Sequence, residues 1–104
     1  MMNREIEAHY AQYLFLRRSV EWTDKKQDKY AKSQRLRATT SLTKYVNQQG
    51  HVTTSFLDIF ETYISNNVVN AFRQEGYDNY PFKEYSDITN IFPNIKLTTK
   101  NCDE

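Results

Sequence analysis

The sequence predicts an all-α fold: a small three-helix bundle with a short extra C-terminal helical turn and an aromatic-rich extended tail. Three observations carry that expectation. The 104-residue chain has only two Gly and two Pro, too few turn-formers for a many-stranded β fold. Apolar residues recur at three-and-four spacing through its third segment. The lone cysteine, Cys102, excludes a disulfide scaffold and a Cys-rich zinc site. About 100 residues enclose one core, so a single domain over 1–104 is expected.

The first helix is expected over 4–22, ahead of the Thr23-Asp24 pair. Ile6, Tyr10, Tyr13, Leu14 and Val20 make one apolar face; Ala8, Ala11, Phe15 and Trp22 make another, roughly opposite. A helix apolar on two sides is either central to its own bundle or shared with a partner. Phe15 and Trp22 therefore mark a candidate homodimer face, with cover by the aromatic tail as the alternative.

The second helix is expected over 24–49, with Thr23 or Asp24 as N-cap and Gly50 just past its end. Tyr30, Ala31, Ala38, Leu42, Tyr45 and Val46 share a modest apolar face, while Lys25, Lys26, Lys29, Lys32, Arg37 and Lys44 collect opposite. Leu36 points away from the apolar face. Ala38-Thr39-Thr40-Ser41 is a weak helix former, where a bend or break is expected.

The third helix, over 54–75, has Thr53 or Thr54 as candidate cap and Gly76 as its stop. Phe56, Phe60, Tyr63, Ile64, Val68 and Ala71 form its stripe, opposite an acidic outer face with Asp58 and Glu61. Beyond it, Tyr77, Tyr80, Phe82 and Tyr85 surround Pro81 in an extended segment. Ser86-Asp87 caps a helical turn over 86–92, which Pro93 ends. Ile95 and Leu97 offer a last apolar contact, and 98–104 reads as a frayed tail.

Charge narrows the function. The net charge is +1, yet residues 17–46 carry nine cations against three anions, and residues 47–104 carry four against eight. Neutrality is thus a cancellation between two unlike regions. Lys25, Lys29, Lys32, Arg37 and Lys44 are candidate contacts to nucleic acid or an acidic partner, with Tyr30 or Tyr45 available for stacking. A helix-turn-helix through Gly50 would place Asp58 and Glu61 toward phosphates, which repel them. Aromatics make up 14% of the chain, more than a three-helix core of this length readily encloses. Tyr77, Tyr80, Phe82 and Tyr85 are accordingly candidate protein-interaction anchors.

Conventional catalysis lacks its parts. The two histidines, His9 and His51, form no ligand-spaced cluster, and two isolated glycines cannot build a phosphate loop. No metal, cofactor or enzymatic activity is expected. Arg4 and His9, separated by Glu5-Ile6-Glu7-Ala8, resemble the Arg-x4-His signature of HEPN-type ribonucleases. The resemblance covers six residues and implies that both side chains would attend a scissile phosphate. Its placement at the N-terminus and the anionic Glu5 after the arginine depart from that family's pattern.

No apolar run nears the roughly 18 residues of a membrane span, and no signal-peptide pattern opens the chain. A cytoplasmic protein with no membrane partner is expected. The leading expectation is a non-enzymatic binding protein that regulates or inhibits a larger macromolecular partner, most plainly a protein, by covering its surface. A nucleic-acid-binding regulator using 25–44 is the alternative. Asn, Lys, Ile, Tyr and Phe supply more than a third of the chain, an AT-rich codon bias suited to a phage or mobile-element accessory protein.

Overall fold

In the computed structural model, which describes residues 1–95, α1 spans Met2–Leu16 and buries Met2, Ile6, Tyr10, Tyr13, Leu14 and Leu16. The helix stops at Leu16, short of Trp22. The Ser19 hydroxyl accepts from the Glu21 amide at 2.9 Å, a local bond that competes with helical pairing. The chain turns here and leaves Val20 99% exposed.

The second segment is two helices. α2 (Asp24–Lys32) starts at Thr23, whose hydroxyl accepts from the Lys26 amide at 3.4 Å. It ends at Ser33, where α3 (Gln34–Ser41) begins with the Ser33 hydroxyl accepting from the Leu36 amide at 3.2 Å. The break thus precedes the weak 38–41 stretch. There Thr39, Thr40 and Ser41 donate their hydroxyls to the carbonyls of Arg35, Leu36 and Ala38, and α3 tightens into a 3-10 turn at Leu42–Lys44. Restarting at Ser33 resets the helical phase. Leu36, off-face in a continuous helix, is buried with Tyr13, Leu16 and Tyr30.

Gly50 therefore ends no helix. It sits in the turn between Val46 and Val52, which pair in an isolated antiparallel bridge, and has φ +81. Its carbonyl accepts from the Ile91 and Phe92 amides at 3.0 and 3.3 Å. A Cβ at this position would run into the Phe92 backbone carbonyl.

A 3-10 turn at Thr54–Phe56 leads into α4 (Leu57–Tyr63), which continues through a π-type stretch (Ile64–Val69) into α5 (Asn70–Phe72). Neither candidate threonine caps it by its side chain: the Thr53 hydroxyl donates instead to the Tyr45 carbonyl at 3.1 Å. Bonding to the fifth residue widens each turn, so the buried stripe runs Phe60, Ile64, Val68, Val69 and Phe72, with Ala71 beside it. A last π-type stretch, Arg73–Tyr77, ends where Glu75 leaves helical dihedrals and Gly76 takes φ +104. Gly76 is the expected stop.

The protein is all-α. Among the described residues no helix is long and apolar enough to cross a membrane. The main core joins α1, the rod α4–α5, Leu42, Val46, Val52 and the C-terminal Ile91, Phe92 and Ile95. A second cluster of Tyr13, Leu16, Tyr30 and Leu36, with Trp22 against it, fills the angle between α1, α2 and α3.

The C-terminal segment is strapped along α1 by polar brackets. The Met2 amide donates to the Pro81 carbonyl at 2.9 Å, and Asn3 exchanges two bonds with the Lys83 backbone. The Glu7 carboxylate accepts from both nitrogens of Asn94 at 3.1 and 3.2 Å. In place of a helical turn over 86–92 there is one turn, in which the Asp87 carboxylate accepts from the Thr89 amide and hydroxyl. Leu97, Cys102 and the tail over 98–104 lie outside the described residues.

The two glycines respond differently to a methyl group. Gly50→Ala combines a left-handed backbone with a backbone collision and is expected to cost about 3 kcal/mol or more. Gly76→Ala, with open space around it, is expected to cost about 1 kcal/mol. Thermal unfolding followed by circular dichroism resolves the two, because 1 kcal/mol moves the midpoint of a domain this size by about 4–8 °C. Equal losses would remove the special role of Gly50.

Candidate functional site

Two polar arrangements stand out, one inside the fold and one on its surface. The inner one begins at the break between α2 and α3. The Glu75 carboxylate accepts from the Ser33 hydroxyl at 2.6 Å and the Arg35 amide at 3.0 Å, and pairs with the Arg35 guanidinium at 3.4 Å. It therefore caps the first turn of α3 from a distant point in the chain, where amides lack helical partners. Partial burial raises the Glu75 pKa. Hydrogen bonds from Ser33, Arg35 and the Gln34 amide outweigh that and hold it below the ordinary value.

Arg35 also reaches His9 Nε2, at 2.5 Å. A guanidinium has only donors, so Nε2 accepts and the imidazole proton sits on Nδ1, which donates to the Glu5 carbonyl at 2.7 Å. Phe72 and Tyr77 pack edge-on against the His9 ring, with centroids at 4.7 and 5.8 Å, and Arg35 lies over Tyr77. Burial, reinforced by the Arg35 charge, lowers the His9 pKa despite the opposing Glu5 contacts. His9 is thus a neutral joint between α1, α3 and the end of the rod. The structure joins it to Arg35, whereas Arg4 of the ribonuclease-like pair is solvent-exposed.

The surface arrangement is a cleft of about 420 Å³ between α2 and α3. Tyr13, Trp22 and Tyr30 form its aromatic wall, and their rings make a closed triangle with centroids 5.2 to 5.7 Å apart. Tyr13 and Tyr30 are buried beneath, while Trp22 is half-buried. Arg37 and Lys44 edge the cleft with Thr40 and Thr43, and Gln27 lines it from α2.

The expected site residues divide among several places. Of the five candidate cations, Arg37 and Lys44 meet at this cleft. Lys25 and Lys29 line a separate concavity on the outward side of α2, and Lys32 pairs with Asp28 at 2.9 Å. Tyr30 is buried, and Tyr45, partly buried, packs on Phe56 and Tyr63 at 4.7 and 4.4 Å. Tyr77, Tyr80, Phe82 and Tyr85 turn inward and pack against the main core. Burial, helped by the nearby Glu7 charge, pushes the Tyr85 hydroxyl well above its ordinary pKa. Phe15 stays 46% exposed, but Trp22 leaves the face it was expected to share and joins the cleft.

Sequence reasoning missed Glu75, Ser33 and Arg35 as a unit, and missed Trp22 as a cleft residue. The available signal was Ser33 followed three residues later by off-face Leu36, which reads as an N-cap restarting the helix. Among the described residues, no group of three or more His, Cys, Asp or Glu is placed to hold a metal ion. No protein family, curated protein or solved structure matches the chain.

Both lowered pKa values make the joint acid-sensitive. The unfolded chain protonates more readily than the folded one, His9 from about pH 6.5 downward and Glu75 from about pH 4.5 downward. Their stabilisation is complete above those values and lost as the pH falls. The melting temperature is expected to drop between about pH 7.5 and 5.5. His9→Gln should lower it at the upper pH yet flatten that drop. An unchanged slope would place the acid sensitivity elsewhere.

Proposed function

We propose that this is a non-enzymatic binding protein that regulates or inhibits a larger macromolecular partner, docking through the α2–α3 face. The observation that carries the reading is the pairing of a half-buried aromatic wall with Arg37 and Lys44 at one cleft. Aromatic residues in a concave, partly desolvated setting supply affinity, and flanking cations steer an anionic surface toward them. Lys25, Lys26 and Lys29 on the outward side of α2 add to the attracting field without entering the cleft. The inward packing of Tyr77, Tyr80, Phe82 and Tyr85 moves the anchor of this reading from the tail to Trp22. The AT-rich composition favours a phage or mobile-element setting, in which surface occlusion of a host factor is a direct use for so small a chain.

Affinity capture from the native host tests the docking face. The unaltered protein is expected to retain a stoichiometric macromolecule that Arg37→Glu/Lys44→Glu loses, with circular dichroism unchanged. Loss of about tenfold or more in affinity is expected for reversing two steering charges. Equal capture by both proteins would move the docking face off α2–α3.

A further inference from the structure

Resting on that reading of the face, we propose that the occupant of the α2–α3 cleft is single-stranded nucleic acid. One base stacks on Trp22, and the adjoining phosphates lie on Arg37 and Lys44.

Three features of the cleft point to this ligand. Its lining is cationic: Arg37 and Lys44 are the charged residues there, with no carboxylate among the described residues that line it. The volume of about 420 Å³ falls within the range of pockets that enclose small organic groups. The indole is fixed in place by edge-on contacts to Tyr13 and Tyr30, with interplanar angles of 75° and 67°, so stacking on it costs little ordering. A base inside a duplex cannot reach such a wall, whereas an unpaired base can.

The hydroxyl groups in the cleft offer acceptors to a base edge. Thr40 donates its hydroxyl to the Leu36 carbonyl and Thr43 donates to the Thr40 carbonyl. With those protons engaged, both oxygens turn lone pairs outward. The N–H groups of a base edge find acceptors there. Gln27 supplies one further donor and acceptor on the facing helix. The fixed donors to phosphate are the guanidinium and ammonium groups at the edge.

Trp22 is the sole tryptophan, so its fluorescence reports the cleft directly. The full chain is titrated with oligo-dT and oligo-rU strands of about 12 nucleotides, with duplexes of the same length, and with polyglutamate. Both single strands are expected to quench the emission, with affinity falling as salt rises. Duplex should bind about tenfold more weakly or worse, and polyglutamate should not quench. Arg37→Glu/Lys44→Glu should lower the single-strand affinity about tenfold or more without changing the circular dichroism. Trp22→Leu, followed with a labelled strand, should do the same; the charge variant decides if the Trp22 change unfolds the second cluster.

Quenching by polyglutamate equal to that by the strands overturns the nucleic-acid assignment and leaves the docking face standing. Absence of quenching by either strand, or quenching unaffected by the charge variant, also overturns it. Host capture that still depends on Arg37 and Lys44 would then identify the occupant as protein. Capture indifferent to them would remove the face as well.

Discussion

The arrangement of this small protein depends on one carboxylate. Glu75, at the end of the helical rod, reaches across to the first turn of α3 and accepts from Ser33 and from Arg35. Helix ends leave amides without partners, and an anion placed on them both satisfies donors and matches the helix dipole. The consequences spread outward from there. The cap allows the chain to break at Ser33, and the break turns Leu36 into the second cluster. Arg35 is held where it meets His9 and covers Tyr77. Gly76, with φ +104, lets the backbone reverse so that Glu75 and Tyr77 face the same joint.

Elements governed by local chemistry were legible in the sequence; those governed by distant contacts were not. The stripe Phe60–Ile64–Val68 follows from spacing alone, Thr23 from its place before a helix-forming run, and Gly76 from its freedom at positive φ. The break at Ser33 was misplaced because the carboxylate that secures it lies 42 residues away; the one local sign was an N-cap serine ahead of off-face Leu36. Misplacing the break carried Leu36 with it, since a helix phase computed through a break is wrong on its far side; Trp22 moved because α1 stops at Leu16. The candidate site had the same mixed legibility. Its cations were named from composition, but their division among a cleft, an outer face and an ion pair depends on the angle between two helices.

The aromatic surplus has an internal explanation that the three-helix picture did not contain. The chain builds two clusters, and rings serve both as packing and as polar connectors. Tyr10 is buried yet donates its hydroxyl to the Val46 carbonyl at 2.6 Å, joining α1 to the turn before Gly50. Burial, reinforced by the nearby Tyr13 and only partly offset by Arg17, pushes its pKa up to about 12. Tyr77 and Tyr80 continue a chain of rings from Phe72 along the extended segment that the Asn3 and Glu7 brackets hold to α1. A backbone without helical pairing thus gains its fixed position from side chains on a helix. The second face of α1 is partly covered by this segment, and Phe15 is the large apolar side chain of α1 that remains open.

The same economy of contacts sets how the cleft behaves. Of the nine residues of α2, only Tyr30 is buried, so α2 is held by one ring, the Thr23 cap and the Ser33 joint. An element with so few apolar contacts opens at low free energy compared with the core. α3, in contrast, is pinned by Leu36 and Thr39 and by the Glu75 cap. The cleft therefore has one firm wall, carrying Arg37 and Lys44, and one adjustable wall, carrying Gln27 and Ala31. Because α2 meets α3 at Ser33, the carboxylate that caps this junction also fixes the angle between the two walls.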